Sequence, residues 1–301
     1  MMITKQTKDL QNLDYLAGQV ILIDKPVNWT SFNVVSRVRR LTKVKKVGHA
    51  GTLDPLATGL LIVCTGKKTK EIFEYQAQRK KYTGIITLGK SSPSMDLATE
   101  IMEKDLPDDL NEEKILFARN KFLGNIEQVP PMFSALKHKG KALYKLARAG
   151  KEVERAPRQV EIFSFDITKI ELPDLHFEIA CSKGTYIRSL CSDIAKKLGT
   201  IGCMSDLERL CVGRFDITES ITLETINNNI ENINNNLITI ERLFDKSKNI
   251  ILEDKKLKLF LNGVQLKVKE KDGAFKIYNN NKFIGIGCIK DNILKRDIII
   301  I

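Results

Sequence analysis

The chain has 301 residues, 43 % hydrophobic and 29 % charged, with a formal net charge of +12. That apolar share supports a folded core and argues against a disordered chain. No apolar run approaches the ~20 residues of a membrane-spanning helix, and the length predicts one large domain or one with a small appendage.

Residues 1 to 14 mix Lys5, Lys8 and Asp9 with polar side chains around no apolar centre, unlike a secretory signal. Residues 18 to 23 read as a buried strand closed by the turn Asp24-Lys25-Pro26. Thr30-Ser31 offers an N-cap to a helix through Phe32, Val35, Val38 and Leu41, whose other face is basic. Residues 60 to 64 and 84 to 88 are further buried strands. Residues 100 to 113 read as a polar loop feeding a helix over 114 to 123. Strands follow at 160 to 172 and 175 to 181. A helix then carries Ile187, Leu190, Ile194 and Leu198 at 3, 4, 4 spacing, closed by Gly199. Residues 226 to 237 are Asn-rich and read as an exposed helix or loop. From about Ile250 short strands at 264 to 268, 274 to 278 and 283 to 289 predict a small all-β appendage.

Charge is unevenly placed. Between Lys25 and Met95, 14 Lys and Arg face three acids, and between Ser134 and Arg158 eight face two, so the remainder is acidic in sum. Confinement of this kind points to a polyanionic partner. Six cysteines form no CxxC pair and read as buried free thiols of a reducing compartment. His49, His138 and His176 have no ligand-spaced partner, which predicts no metal. Gly66-Lys67-Lys68-Thr69 lacks the earlier glycine and the Ser/Thr of a P-loop.

The segment Gly48-His49-Ala50-Gly51-Thr52-Leu53-Asp54-Pro55-Leu56-Ala57-Thr58-Gly59 precedes a buried strand. Asp54 is the single acid among ten basic residues from Lys25 to Lys70. A lone carboxylate in so positive a field keeps its charge at neutral pH. Pro55 holds Asp54 extended, and the glycines permit a tight loop that presents it. The residues alone leave two readings: a presented nucleophile or base, and a carboxylate that caps an Asp-Pro turn.

This segment resembles the motif of the TruB family of pseudouridine synthases. The resemblance extends to Asp24-Lys25-Pro26, Lys81-Tyr82, Pro131-Met132-Phe133-Ser134-Ala135-Leu136-Lys137, Gly140-Lys141-Ala142-Leu143-Tyr144, Cys181-Ser182-Lys183-Gly184-Thr185-Tyr186-Ile187-Arg188 and Leu207-Glu208-Arg209-Leu210. These blocks stand in family order from about Leu16 to Phe215. The resemblance implies an α+β fold with a mixed, largely antiparallel central sheet and a small PUA-like β appendage. It divides the chain into an N-terminal extension (1–15), a catalytic domain (16–248) and the appendage (249–301).

The implied activity is isomerisation of uridine-55 in the TΨC arm of tRNA, without metal or cofactor, by a cytoplasmic monomer that touches no membrane. Asp54 matches the catalytic aspartate, by attack at C1′ or by a glycal route. Arg188 matches the arginine that pairs with it, and Tyr82 the catalytic tyrosine that stacks on the base and is the candidate proton acceptor. Tyr186 and Leu207 match pocket positions, and His49 the histidine that stacks within the RNA loop. Lys25 and Asp96 join them as substrate-binding candidates, Lys25 in a supporting role against the catalytic loop. The basic helix and residues 137 to 151 would contact phosphates. One departure stands out: in Lys90-Ser91-Ser92-Pro93-Ser94-Met95-Asp96-Leu97-Ala98-Thr99, serines replace the usual threonines and the glycine is missing. The alternatives are an RNA-binding or RNA-folding protein without turnover, and a synthase acting on other RNAs.

Overall fold

The apolar runs of the sequence meet in one mixed sheet. The computed structural model describes all residues except 1, 8, 9, 11, 12, 227–243, 245, 300 and 301. The chain starts with β1 (Met2–Ile3) and β2 (Val20–Lys25), then α1 (Ser31–Thr42), β3 (Val47–His49) and β4 (Thr58–Thr65). Helix α2 (Ile72–Ala77) leads to β5 (Lys80–Leu88), followed by a small hairpin of β6 (Lys90–Ser91) and β7 (Met102–Glu103). Helix α3 (Glu112–Asn120) and β8 (Gly124–Gln128) precede a second hairpin, β9 (Lys137–His138) with β10 (Lys141–Ala142), and α4 (Leu143–Arg148). The long pair β11 (Arg158–Glu171) and β12 (Asp174–Cys181) comes next. Then follow α5 (Ile187–Lys197), β13 (Gly202–Val212), β14 (Phe215–Asp216) and β15 (Ile221–Thr222).

Eleven of these strands form the sheet, in the order β1-β2-β4-β13-β5-β12-β11-β8, with β3 on β4, β14 on β13 and β15 on β2. Only β1/β2, β4/β13 and β2/β15 are parallel. This is the α+β, largely antiparallel architecture that the sequence implied. Residues Leu60 to Cys64 of β4 are all buried, the pattern of a strand covered on both faces. β12 alternates instead, burying Leu175, Phe177, Ile179 and Cys181 on one face. Thr30 caps α1 by accepting from the Asn33 amide at 3.0 Å, as its sequence predicted. The helix then buries Val34, Val35 and Val38.

Several expectations are corrected. β13 crosses the centre of the sheet where the sequence shows no clear element. Two bulges, at Met204/Asp206 and Arg209/Cys211, break its period-two pattern. Helix α3 starts earlier than predicted because Asn111, not a later residue, caps it by accepting from the Lys114 amide. Part of the expected loop before it forms β7. Four cysteines are buried, but Cys211 is half-buried and Cys288 exposed. The Asn-rich stretch from 227 lies outside the described residues.

The chain divides into two compact units, Met1–Glu231 and Asn232–Ile301. The second is a small, mainly β unit. Its sheet runs β16 (Asn249–Ile251), β18 (Gly273–Asn279), β19 (Lys282–Lys290), β20 (Ile293–Ile299), β17 (Leu266–Lys267), and its described residues include the helix Asp254–Leu261. Its core gathers Leu252, Phe260, Phe275, Ile277, Ile284, Ile289 and Leu294.

Candidate active site

The motif between β3 and β4 folds into a loop pinned from several sides. The Ala50 amide donates to the Ile62 carbonyl at 2.8 Å, and the Asn28 amide to the Pro55 carbonyl at 2.8 Å. The Ser31 hydroxyl, at the first turn of α1, accepts from the Leu53 amide at 2.9 Å. Gly51 and Gly59 stand at φ +104° and +96°, where an L side chain is strained. A Cβ on Gly59 would also meet the Arg209 carbonyl oxygen at 2.5 Å, so glycine lets β4 and β13 approach.

At the top of this loop the Asp54 carboxylate does not cap its own turn. Arg188, in the first turn of α5, donates from Nε to Oδ2 at 2.8 Å and from Nη2 to Oδ1 at 3.0 Å. Such a two-pronged, charge-assisted pair fixes both distance and orientation. The Asp54 side chain is 32 % exposed, while Arg188 is 4 % exposed. The acid is therefore held from behind and open in front. Arg188 also donates to the Ser94 carbonyl at 2.7 Å and the Phe133 carbonyl at 2.8 Å. Its guanidinium thus ties together segments 134, 94 and 55 residues away in sequence.

The sequence makes Asp96 a substrate-binding candidate, and the structure places it against Arg188. It is buried, with Oδ2 3.7 Å from Arg188 Nε, while Oδ1 accepts from the Ser94 hydroxyl at 2.5 Å and the Ala98 amide at 3.0 Å. It therefore braces Arg188 from below. The serines that replace the family's threonines still supply hydroxyls: Ser94 also bonds the Thr99 hydroxyl at 2.8 Å, and Ser92 donates to the Asp96 carbonyl at 2.5 Å. Lys25, given a supporting role by the sequence, is fully buried. Its Nζ donates to the carbonyls of Pro26 (2.9 Å), Trp29 (2.6 Å) and Pro55 (3.3 Å), which props the residue next to Asp54. Burial pulls its pKa down to about 8, and the Arg209 charge adds to this, against the opposing pull of Asp54.

Tyr82 on β5 is 8 % exposed. Its β13 neighbour across the sheet is Arg209, whose guanidinium bonds the carbonyls of Leu60 at 2.7 Å and Gly51 at 3.1 Å. Burial pushes the Tyr82 phenol up, Arg209 pulls the other way, and the charge of Asp54 reaches it too. Leu207 is buried on β13, two residues before Arg209 and so on the same face. Tyr186 is half-buried at the N-cap of α5. Its amide donates to Gln128 Oε1 at 2.7 Å, and Gln128 Nε2 donates back to its carbonyl at 3.0 Å. Burial raises its phenol as well, with Arg188 and Asp54 among the charges acting on it. His49 ends β3, half-buried. Burial and then the Arg209 charge lower its pKa, which keeps the ring neutral at pH 7.

The structure thus joins Asp54, Arg188, Asp96, Tyr82 and Tyr186 through hydrogen bonds and charge, with Lys25 below the loop. Sequence reasoning misses Arg209 as a site residue, although its Leu-Glu-Arg-Leu block carries part of the family resemblance. The available signal is a charge two residues from apolar Leu207 and Cys211, on one face of an unrecognised strand. Among the described residues, no three His, Cys, Asp or Glu side chains converge to hold a metal, and no helix is long and apolar enough to cross a membrane. Lys43, Lys45, Lys46, Lys137, Lys139, Lys141, Lys145, Arg148 and Lys151 are exposed.

Comparisons with known proteins identify the family. Residues 39–187 match the N-terminal domain of the TruB family pseudouridylate synthases. Residues 188–247 match the tRNA pseudouridylate synthase B C-terminal domain, and 249–295 the C-terminal region of pseudouridine synthase II TruB. The chain is 41 % identical over 274 residues to the tRNA pseudouridine synthase B of Clostridium tetani, covering 89 % of this chain and 94 % of that protein. The protein of the same name from Chloroherpeton thalassium is 49 % identical over 214 residues, 69 % of this chain and 89 % of its own. Among solved structures, a Cbf5-Nop10-Gar1 complex aligns with a TM-score of 0.57 at 22 % identity, covering 99 % of this chain and 93 % of that one. That likeness concerns the fold, which includes a small β unit of PUA-like kind. With a relative 41 % identical across 89 % of its length, and just under half the chain matched by one family domain, this chain belongs to the TruB family of pseudouridylate synthases.

Proposed function

We propose that this protein, a cytoplasmic monomer, converts uridine-55 in the TΨC arm of tRNA to pseudouridine, with Asp54 as the nucleophilic group. The observation that carries the reading is the Asp54 carboxylate, gripped at both oxygens by buried Arg188 yet one-third open beside Tyr82. The relatives named above are tRNA pseudouridine synthases, which supplies the substrate class.

In the reaction the N1–C1′ bond breaks and its electron pair stays on uracil, leaving positive character at C1′. A carboxylate fixed beside that carbon stabilises it, either as a bonded partner or as a counter-charge. The base turns, C5 bonds to C1′, the C5 proton leaves and N1 gains one. Atoms and charge balance without a redox partner or metal. Tyr82 and Leu207 supply a stacking face and an apolar wall for the turning base. Tyr186 lies at the α5 end of the pocket. His49, kept neutral, offers a flat surface to a neighbouring nucleotide. The target base must leave its stack at a cost of a few kcal/mol, offset by stacking and phosphate contacts.

The test uses an unmodified tRNA transcript carrying tritium at uridine C5. Wild-type protein should release one tritium per tRNA, with pseudouridine mapped at position 55. Absence of release, or modification elsewhere, refutes the proposal.

A further inference from the structure

Helix α5 begins where its own sequence gives it little reason to. Its N-cap is Tyr186, which supplies no side-chain cap, and no acid stands in the first turn. The cation Arg188 sits there instead, buried, at the positive end of the helix dipole. The start is held from outside, by the segment that follows β8. Gln128, the last residue of β8, is 3 % exposed. Its Oε1 accepts from the Tyr186 amide at 2.7 Å, and its Nε2 donates to the Tyr186 carbonyl at 3.0 Å. One side-chain amide thus reproduces the reciprocal pair of an antiparallel ladder. The same Tyr186 carbonyl accepts the first helical bond, from the Leu190 amide at 3.1 Å. Two more bonds continue the clasp: the Ser189 hydroxyl donates to the Val129 carbonyl at 3.1 Å, and Arg188 Nη2 to the Phe133 carbonyl at 2.8 Å. Pro130 and Pro131, between those carbonyls, stiffen the segment.

We propose that Gln128 is a positioning residue for the reaction: it fixes the start of α5, so that Arg188 meets both oxygens of Asp54. The inference rests on the synthase reading above. Gln128 reaches the acid at one remove, through the backbone two residues before Arg188. A shift of the helix by a single residue moves a side chain about 1.5 Å along the axis and turns it by about 100°. The paired contacts of Arg188 with Asp54, at 2.8 and 3.0 Å, do not survive such a slip. Glutamine suits the task because its planar amide carries a donor and an acceptor side by side. Glutamate offers only acceptors when ionised, so one of its oxygens would face the Tyr186 carbonyl, and leucine offers neither group.

Single-turnover kinetics with tritiated tRNA, alongside tRNA affinity, thermal melting and the Arg188 Nε–H resonance, test this in Gln128→Leu and Gln128→Glu. A misplacement of about 1 Å costs on the order of 100-fold in rate, so Gln128→Leu should lose about that much in turnover rate, with tRNA affinity within about twofold. The Arg188 Nε–H resonance, set by its bond to Asp54, should move with it. A merely structural glutamine would lower the melting temperature and leave turnover and this resonance where they are, and that result overturns the proposal. So does a loss of tRNA affinity that matches the loss of turnover. Should Gln128→Leu not fold, Gln128→Glu decides the matter: of nearly the same size, it keeps the acceptor for the Tyr186 amide, loses the donor to the carbonyl and should lower turnover about tenfold. Turnover equal to wild type in that variant refutes the proposal. Wild-type protein that releases no tritium would instead refute the synthase reading itself.

Discussion

The two buried arginines of the site are held in opposite ways. Arg188 faces two carboxylates, Asp54 and Asp96, and fills its remaining donors with the carbonyls of Ser94 and Phe133. Arg209 bonds two carbonyls, of Leu60 and Gly51, and no carboxylate among the described residues. On the Arg188 side, charge is balanced by charge, and what is gained is direction: the nucleophile points one way. On the Arg209 side the positive charge is left over. Together with Lys25, which is held by three carbonyls, it biases the floor of the site toward anions. A uracil leaving with its electron pair and the phosphates that flank it are such anions. Orientation and field are thus divided between two ends of one pocket.

The hardest blow to this division is Asp54→Asn. The amide keeps the shape but not the charge, and turnover should fall on the order of 10⁴-fold. Affinity for tRNA should stay within about twofold, since the exposed lysines and not the nucleophile supply it. Filter binding beside tritium release reads both; a matching loss of affinity would make the pair a binding device.

Arg188→Met comes next. It leaves Asp96 buried without its cation, and breaking one partner of a buried pair typically costs about 3–5 kcal/mol. Chemical denaturation should show a loss of that size. A melting curve close to wild type would mean that Asp96 is held by Ser94 and Ala98 alone.

Gly59→Ala probes the other arginine without touching it. The new methyl would meet the Arg209 backbone in a positive-φ position, and overpacking with such strain costs about 2–4 kcal/mol. Gly124→Ala is the control: its φ is +79°, but nothing lies within 4 Å of the added carbon. There only the backbone cost of about 1–2 kcal/mol should appear. Equal losses at the two positions would deny that the close approach of β4 and β13 matters.

A smaller effect concerns Lys25, whose pKa near 8 lies below the 10.5 of the unfolded chain. Between those values the unfolded state holds a proton that the folded state has lost, so stability rises with pH across that window. The neutral amine has one donor fewer for its three carbonyls. Turnover should therefore fall about fivefold as pH rises through 8, the worth of one neutral hydrogen bond. In Lys25→Met both the rise in stability and the fall in rate should be missing.

Local rules suffice to read α1 with its Thr30 cap and β12 with its alternation. They fail at β13, where two bulges and the polar run Ser205-Asp206 hide a central strand. Asp54 is legible because it breaks a run of positive charge. Its bond to Arg188 spans 134 positions and follows only from the family resemblance. Burial is the least legible property. Lys25 and Asp96, substrate-binding candidates by sequence, lie below the surface of the site, because a charged side chain goes inside only where tertiary partners await it. Summed charge also misleads: residues 249–301 carry 11 Lys and Arg against six acids, so the basic segments number more than two.

The smallest expected effects lie furthest from both arginines, on the exposed lysines of residues 137–151. Lys139 and Lys145 are exposed and form no ion pair among the described residues. Removing one phosphate-neutralising lysine should lower the slope of log affinity against log salt by about 0.7 to 0.9. Lys139→Ala with Lys145→Ala should therefore reduce that slope by about 1.5. At saturating tRNA the turnover rate should not change, because neither side chain is bonded to the Asp54 loop. An unchanged slope would place the RNA on another surface. A changed turnover rate would mean that field and affinity are not separable, and that the positive charge at the floor of the site extends to its rim.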